Sequence, residues 1–124
     1  MKRAIVLVDH GSKFEQANAA LVQMGALVQA NLGSDWIVQI AHMELVQPSL
    51  SAACAACVDA GVTEVIVHPY FLSPGRHASV DIARMVEEVA AAHPHVQFRV
   101  TEPLGVHPLL AQLVLERCGL GEKR

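Results

Sequence analysis

The sequence predicts a three-layer α/β/α fold around a four-stranded parallel sheet. Short apolar segments alternate with helical patterns along the chain, as in repeated strand–helix units. Residues 4–8 are apolar without alternation, which is typical of a parallel strand covered on both faces. No linker, repeat or low-complexity tract divides the 124 residues. We therefore expect one domain spanning residues 1–124.

The predicted strands carry most of the β-branched residues. Residues 4–8 and 36–41 form the first two strands, and the third runs over residues 64–72, up to a Ser-Pro-Gly turn. Residues 96–100 alternate between polar and apolar side chains. This alternation predicts an edge strand with one face partly exposed to water.

Between and after these strands, apolar side chains recur at helical spacing in four segments. Glycine or proline stands at or near the ends of each segment, where these residues start or stop helices. The predicted helices are residues 13–31, 49–60, 76–93 and 108–118, followed by a tail, residues 121–124, that is expected to fray.

The composition excludes several classes of function. The formal net charge is −3 and no Lys/Arg cluster interleaves with aromatic residues, so nucleic-acid binding is not expected. No apolar run approaches the roughly 20 residues of a membrane span, and the first one is too short for the roughly 7–15-residue core of a signal peptide. The odd number of cysteines suits a reducing compartment. We therefore expect a cytoplasmic protein that has no membrane partner.

Two predicted strands end in glycine-containing turns that carry a histidine. His10 follows the first strand and His77 follows the third. In a flavodoxin-like or chelatase-like strand order, 2-1-3-4, these two strands are neighbours, and ligands bind in the crevice beyond their carboxyl ends. We therefore expect His10 and His77 to share one site. Glu44 follows the second strand and projects from the same edge of the sheet.

These three residues suit metal chemistry. A neutral imidazole can accept a proton or bind divalent Fe, Co or Ni, and a carboxylate adds a ligand or a second proton acceptor. Side chains from separate loops form an open set, which is better suited to releasing a metal than to enclosing it. The alternatives are that each histidine caps a helix or bonds a backbone group, and that Glu44 is a solvated loop charge.

The same turns carry candidates for binding an anionic substrate. Lys13 and Arg76 flank the histidines, at positions where helix N-terminal amides would assist. Ser12, Ser73 and Gly75 are further substrate-binding candidates, although turn formation alone would also explain them.

Other reactive residues are expected to be structural. Cys54 and Cys57 lie beyond the first turn of their helix, which favours buried packing over redox chemistry. His68 is expected to be a hydrogen-bonded core residue, and Asp9 a turn or cap residue. Two histidines that follow strand ends on the site side remain as second-rank candidates: His42 and His107.

Four segments that follow the predicted strands carry the residues most characteristic of one family. They are HGS at 10–12, MELVQPS at 43–49, PYFLSPGRH at 69–77 with Asp81, and PLGVHP at 103–108. This set resembles the small sirohydrochlorin chelatases of the CbiX/SirB type over nearly the whole chain. The third segment is its most specific part. Asp9 departs from the pattern, because glycine is usual at that position in the family.

The resemblance implies a class II chelatase fold and insertion of Co²⁺ or Fe²⁺ into sirohydrochlorin, on the way to cobalamin or sirohaem. Ni²⁺ is the metal in some archaeal relatives. The family's two active-site histidines correspond to His10 and His77, and its acidic residue corresponds to Glu44, as catalytic residues and metal ligands. The metal is a substrate here, and no tightly bound cofactor is implied.

A tetrapyrrole is wide relative to the crevice of one small domain, and larger chelatases of this fold enclose it between two similar lobes. We therefore expect a homodimer whose two copies form the cleft. The alternative function is a non-catalytic tetrapyrrole- or metal-binding protein on the same fold. A phosphate binder is disfavoured because the turns lack a G-x-G-x-x-G or Walker pattern.

Overall fold

The structure, a computed structural model, describes residues 2–73 and 75–121. Four strands and four helices alternate along the chain, and all strand pairs are parallel in the order β2-β1-β3-β4. The predicted fold class and strand order are therefore confirmed. The elements are β1 (Arg3–Asp9), α1 (Glu15–Ala30), β2 (Trp36–His42), α2 (Leu50–Asp59), β3 (Glu64–Pro69), α3 (Arg76–Ala92), β4 (Gln97–Val100) and α4 (Pro108–Arg117).

The sheet register aligns the carboxyl ends of the three strands that precede the candidate residues. Asp9 of β1 pairs with His42 of β2, and Val8 pairs with Pro69 of β3. The chain therefore leaves the sheet at nearly the same level after β1, β2 and β3. His10, Glu44 and the turn that leads to His77 all start from this edge.

The main core lies between the sheet and one pair of helices. Alternate residues of β1 and β3 point to this face, as the two-residue period of a strand requires, and they meet the apolar stripes of α2 and α3. Its fully buried members include Val6, Val8, Val65, Val67, Leu50, Cys54, Cys57 and Ile82.

Helix α1 covers the opposite face of the sheet, over β1 and β2. A Cβ atom on Gly25 would lie 2.8 Å from Ile40 Cγ2, so glycine allows the helix to approach the strand closely. Ile40 precedes Ala41, which belongs to the main core, and neighbouring residues of a strand point to opposite faces. Helix α4, in contrast, buries none of its residues against the part of the chain that the structure describes.

β1 extends one residue further at each end than predicted, and β2 one residue further at its end. Two other predicted boundaries lie outside the observed strands. β3 ends at Pro69 instead of residue 72. The Tyr70 N–H still makes the last ladder bond, to the Val8 carbonyl, but the Phe71 N–H turns back to the Pro69 carbonyl. β4 begins at Gln97, one residue late, because the Val96 N–H bonds the His93 carbonyl in a turn.

Helix α1 also begins two residues later than predicted, at Glu15, with Phe14 at the N-cap. Parts of two further predictions, Pro74 of the Ser-Pro-Gly turn and residues 122–124 of the tail, lie outside the described residues.

The cysteine pair of α2 is buried in the main core. Burial raises the pKa of the Cys54 thiol to about 12 and that of the Cys57 thiol to about 11. Reactive thiols have lowered pKa values instead. This environment agrees with the structural role expected from the sequence. Over residues 2–73 and 75–121, the helices are too short or too polar to traverse a lipid bilayer.

Candidate functional site

An open pocket of about 190 Å³ lies at the carboxyl edge of the sheet. His10 comes from the turn after β1, Glu44 from the segment after β2, and His77 from the first turn of α3. The three side chains that the sequence singled out thus line one pocket, and all three are solvent-exposed. The remaining lining residues are Met43, Ala78, Asp81 and Met85.

The turn that carries His10 is fixed on several sides. The Gly11 N–H donates to Asp9 Oδ1 at 3.0 Å, which closes a short side-chain turn around His10. Gly11 has φ +87°, and a Cβ atom there would lie 2.0 Å from the Glu44 carbonyl oxygen, so only glycine fits. The His10 ring packs edge-to-face on Phe71, with centroids 4.7 Å apart.

Glu44 is tied to the same turn through the backbone. The Met43 N–H donates to the Asp9 carbonyl at 2.8 Å, and the Glu44 N–H donates to the His10 carbonyl at 3.1 Å. The segment after β2 therefore lies alongside the turn after β1 like a continuation of the parallel ladder. The Glu44 side chain itself is left free to face the pocket.

His77 is positioned by the start of a helix. It is the second residue of α3, whose N-cap, Gly75, makes no side-chain capping bond. Residues four and eight positions further along a helix lie on the same face, which brings Asp81 and Met85 to the same pocket. Asp81 also contacts Arg84 at 3.7 Å in a partly exposed ion pair.

Within residues 2–73 and 75–121, no three His, Cys, Asp or Glu side chains are close enough to form a ready-made metal cage. The pocket instead offers two imidazoles and two carboxylates around an open space. Such a set has suitable ligand types for divalent Fe, Co or Ni, but it leaves the ion accessible to another ligand.

The predicted substrate-binding residues surround the site without lining this pocket. Lys13 and Arg76 are exposed. Ser12 is used locally, because its Oγ accepts from the Phe14 N–H and its backbone bonds the Asn18 side chain in both directions. Gly75 caps α3, and Ser73 lines a separate surface cavity beside Pro103 and Val106.

The two second-rank histidines have structural partners. His107 caps α4, where its Nδ1 accepts from the Leu109 N–H. His42 is buried, and its Nδ1 lies 2.6 Å from Asp9 Oδ1. Asp9 is therefore a turn residue, as expected, and also the partner of His42.

His68 is a half-buried strand residue that bonds a neighbouring side chain. Its Nδ1 lies 2.8 Å from Thr101 Oγ1, and burial lowers its pKa. The expectation of a hydrogen-bonded internal histidine agrees with this contact.

Asp81 is the ionisable pocket residue that sequence reasoning did not select. The signal was present, because Asp81 follows His77 by four residues in a predicted helix, and such residues are neighbours on one face. Met43 and Met85 were also not selected as site residues. They are the long apolar side chains of the pocket lining, and no local sequence motif predicts that role.

The fold and the site together define a parallel α/β protein with an open, imidazole- and carboxylate-lined pocket that suits a divalent metal. The chain belongs to the CbiX family, whose model matches residues 4–119.

Named relatives include a plant protein and an archaeal protein. The chain is 38% identical over 113 residues to the chloroplastic sirohydrochlorin ferrochelatase of Arabidopsis thaliana, covering 91% of this chain and 50% of that protein. It is 29% identical over a 142-position alignment to the sirohydrochlorin cobaltochelatase of Methanopyrus kandleri, covering 97% of this chain and 99% of that one. The chain thus spans about half of the first protein and nearly all of the second.

Solved structures of relatives share the fold. The sirohydrochlorin chelatase SirB of Bacillus subtilis subspecies spizizenii, in complex with cobalt, superposes with a TM-score of 0.88 at 27% identity. That match covers 96% of this chain and 50% of SirB. SirB from Bacillus subtilis with Fe³⁺ gives a TM-score of 0.85 at 30% identity, over 94% of this chain and 46% of SirB.

Proposed function

We propose that this chain is a sirohydrochlorin chelatase that inserts Co²⁺ or Fe²⁺ into the macrocycle. The observation that carries the proposal is the shared pocket of His10, Glu44 and His77, in a chain whose relatives are named for this reaction. The sirohydrochlorin and the metal ion are both substrates. We include Ni²⁺ as a further metal because the ligand set does not discriminate against it.

The reaction needs two functions from the protein. Two pyrrole N–H protons leave the macrocycle as the divalent ion enters, so a base must accept protons while ligands hold the ion. A neutral imidazole performs either task, and positioned general bases typically contribute about 10²–10⁴-fold. We assign His10, His77 and Glu44 to both tasks. The open pocket supports this assignment because ring nitrogens can replace protein ligands one at a time.

The acidic side chains of sirohydrochlorin call for cationic groups near the pocket. Lys13 and Arg76 are exposed, each a few residues from one of the two histidines, and are our candidates. We place Ser12, Ser73 and Gly75 in a supporting role, through the two turns that precede α1 and α3.

We further propose that a second copy of this chain covers the pocket. A cavity of about 190 Å³ is small beside the roughly 300–1,000 Å³ that enclose drug-sized ligands. The match to this chain covers only 50% of SirB, so the SirB chain is about twice as long. The match to the Methanopyrus kandleri relative covers 99% of that protein, which is therefore a short form like this chain. One lobe of this size, used twice, would therefore supply what SirB supplies in one chain.

Helix α4 is our candidate for the contact between copies. Leu109 is 72% exposed and Val114 is 59% exposed. Clusters of exposed apolar residues commonly mark protein interfaces. Helix α2 is a second candidate because of its small residues, but it turns its larger side chains into the core of its own subunit.

A cytoplasmic location is our final proposal on function. Cys54, Cys57 and Cys118 are free thiols, which suits a reducing compartment.

The test of the activity mixes purified protein with sirohydrochlorin and Co²⁺ or Fe²⁺ under anaerobic conditions and follows the absorption change of the macrocycle. We expect insertion well above the spontaneous rate. Binding of sirohydrochlorin without acceleration would instead establish the non-catalytic alternative. Heat-denatured protein at the same concentration serves as the control for metal carried by the preparation.

The test of the dimer is the molar mass in solution, with and without sirohydrochlorin. Val114→Asp places a charge on α4, and Val22→Asp makes the same change on α1 at a similar exposure of 55%. We expect a dimer for the parent and for Val22→Asp, and a monomer for Val114→Asp. A monomeric parent in the presence of sirohydrochlorin, or a dimeric Val114→Asp variant, would contradict the proposal.

A further inference from the structure

A buried imidazole lies directly behind the candidate site. His42, the last residue of β2, is only 2% exposed, and it is the one buried polar side chain among residues 2–73 and 75–121. Its Nδ1 lies 2.6 Å from Asp9 Oδ1, at the last position of β1. Carboxylate oxygens accept hydrogen bonds, so in this contact the Nδ1–H of His42 donates a hydrogen bond to Asp9.

The Asp9 carboxylate serves two partners at once. The same oxygen, Oδ1, accepts from the His42 ring and from the Gly11 N–H. The first bond fixes the carboxylate against β2, and the second fixes the turn that contains His10. A displacement of the His42 ring would therefore be passed to the His10 turn through one atom.

The backbone extends this connection to Glu44. His42 is two residues before Glu44, and its own N–H bonds the Pro48 carbonyl on the far side of the loop. The N–H groups of Met43 and Glu44 bond the carbonyls of Asp9 and His10. The turn that carries His10 and the segment that carries Glu44 are thus joined by two ladder bonds and one side-chain pair.

Stability alone is a weak reason for such a pair. Withdrawing a carboxylate and an imidazole from water is costly, and packed apolar residues of similar volume often replace buried polar pairs without loss of stability. A directional hydrogen bond also fixes the relative position of the groups that it joins. Here it fixes the two segments that carry the proposed metal ligands His10 and Glu44.

We infer that the Asp9–His42 pair is a positioning device that fixes the turn of His10 and the segment of Glu44 relative to each other, so that both proposed ligands face one pocket. The inference rests on the proposed function, because it concerns the proposed metal ligands. Asp9 and His42 do not line the metal pocket, so they act through His10 and Glu44. Without the pair, the two ligands can move apart. Metal binding must then bring them together again, which lowers the affinity for the metal.

The variants are chosen to separate geometry from folding. His42→Phe keeps a ring in the buried space but removes the donor, whereas His42→Asn keeps an amide donor close to the position of Nδ1. Asp9→Ala removes both bonds, whereas Asp9→Asn keeps an oxygen that can accept from Gly11 and from His42. His95→Ala, an exposed histidine after α3, controls for the general loss of an imidazole.

The readouts are Co²⁺ affinity without tetrapyrrole, the KM for Co²⁺ and the kcat of insertion, with the melting temperature as the measure of folding. We expect His42→Phe and Asp9→Ala to weaken Co²⁺ affinity and raise its KM by about tenfold, since small displacements of positioned groups have effects up to about 10²-fold. His42→Asn and Asp9→Asn should recover most of the loss. The double variant His42→Phe/Asp9→Ala should be no worse than either single one, because both break one connection.

Lower melting temperatures with parental Co²⁺ affinity and KM in the folded protein would overturn the inference and leave a structural pair only. So would equal losses in the Asn and Phe variants of His42. If the parent inserts no metal, the proposed function fails. The Co²⁺ affinities of the same variants still decide whether the pair positions the ligands.

Discussion

The two turns that present histidines to the pocket are held differently. The turn of His10 is bonded through Asp9, ladder-paired with the segment after β2, and packed on Phe71. The segment before His77 is bonded at its start, where the Phe71 and Leu72 carbonyls accept from the Leu104 and Gly105 N–H groups, and it then leads into α3, whose first residues are exposed. Both turns nevertheless reach the same pocket.

Under the proposed function, this difference would make His10 the fixed ligand and His77 the adjustable one. A metal that must be received and then released needs at least one ligand that can withdraw, and His77 lies in an exposed first helical turn. The position of His10 is defined by three separate contacts. The following variants either remove this contrast or make it measurable.

The largest effect is expected from Gly11→Ala. The new Cβ would lie 2.0 Å from the Glu44 carbonyl oxygen, so the turn of His10 and the Glu44 segment must separate. We expect a loss of several kcal/mol in the free energy of unfolding, more than the 1–3 kcal/mol or so for positive φ alone, together with loss of metal binding. Chemical denaturation and Co²⁺ titration measure both.

Gly61→Ala is the matched control for this change. Gly61 has φ +89° but open space around it, so it reports only the backbone penalty. Equal destabilisation in the two variants would show that the close approach to Glu44 has no energetic weight.

A smaller effect is expected from Phe71→Leu. This change removes the edge-to-face contact with His10, and such contacts contribute about 0.5–1.5 kcal/mol. We expect a two- to tenfold or so decrease in the rate of metal insertion. Tyr70→Leu makes the same change at the adjacent aromatic residue, whose ring faces His68 instead, and should retain the parental rate. Equal rates in the two variants would mean that Phe71 does not position His10.

The smallest effect concerns His68, a histidine of the same sheet that lies outside the pocket. Burial lowers its pKa below the ordinary 6.5, so the unfolded chain binds a proton that the folded chain excludes. The free energy of unfolding should therefore decrease as the pH falls through about 6.5. His68→Asn should flatten this dependence, as followed by urea denaturation between about pH 5 and 7.5.

His95→Asn is the control, because His95 is exposed. A parental pH dependence in His68→Asn would assign the effect to other groups.

The fold was largely predictable because its signals are local. Continuous apolar segments indicated parallel strands, and helical periodicity placed the crossovers, which restricts the strand order to a few choices. The end of β3 was wrong because a local turn overrides propensity. Tyr70 and Phe71 favour a strand by propensity, but the Phe71 N–H turns back to bond the Pro69 carbonyl, and the chain leaves the sheet.

That the three candidate residues share one pocket was predictable from the sequence, but the contacts around them were not. His10, Glu44 and His77 follow from strand ends that share one edge. The bond between Asp9 and His42 joins residues 33 positions apart, and it depends on the register of β1 against β2. No local pattern encodes that register, so Asp9 was assigned to its turn alone.

The most direct test of the account compares the initial rates of Co²⁺ insertion into sirohydrochlorin for His10→Ala, His77→Ala and the double variant, with His95→Ala as control. The account predicts a decrease of about 10²-fold or more for His10→Ala, a clear decrease for His77→Ala, and a double variant close to the slower single one because both residues serve one ion. Circular dichroism should show all of them folded. Parental rates for both single variants would contradict the claim that these two histidines form the metal site.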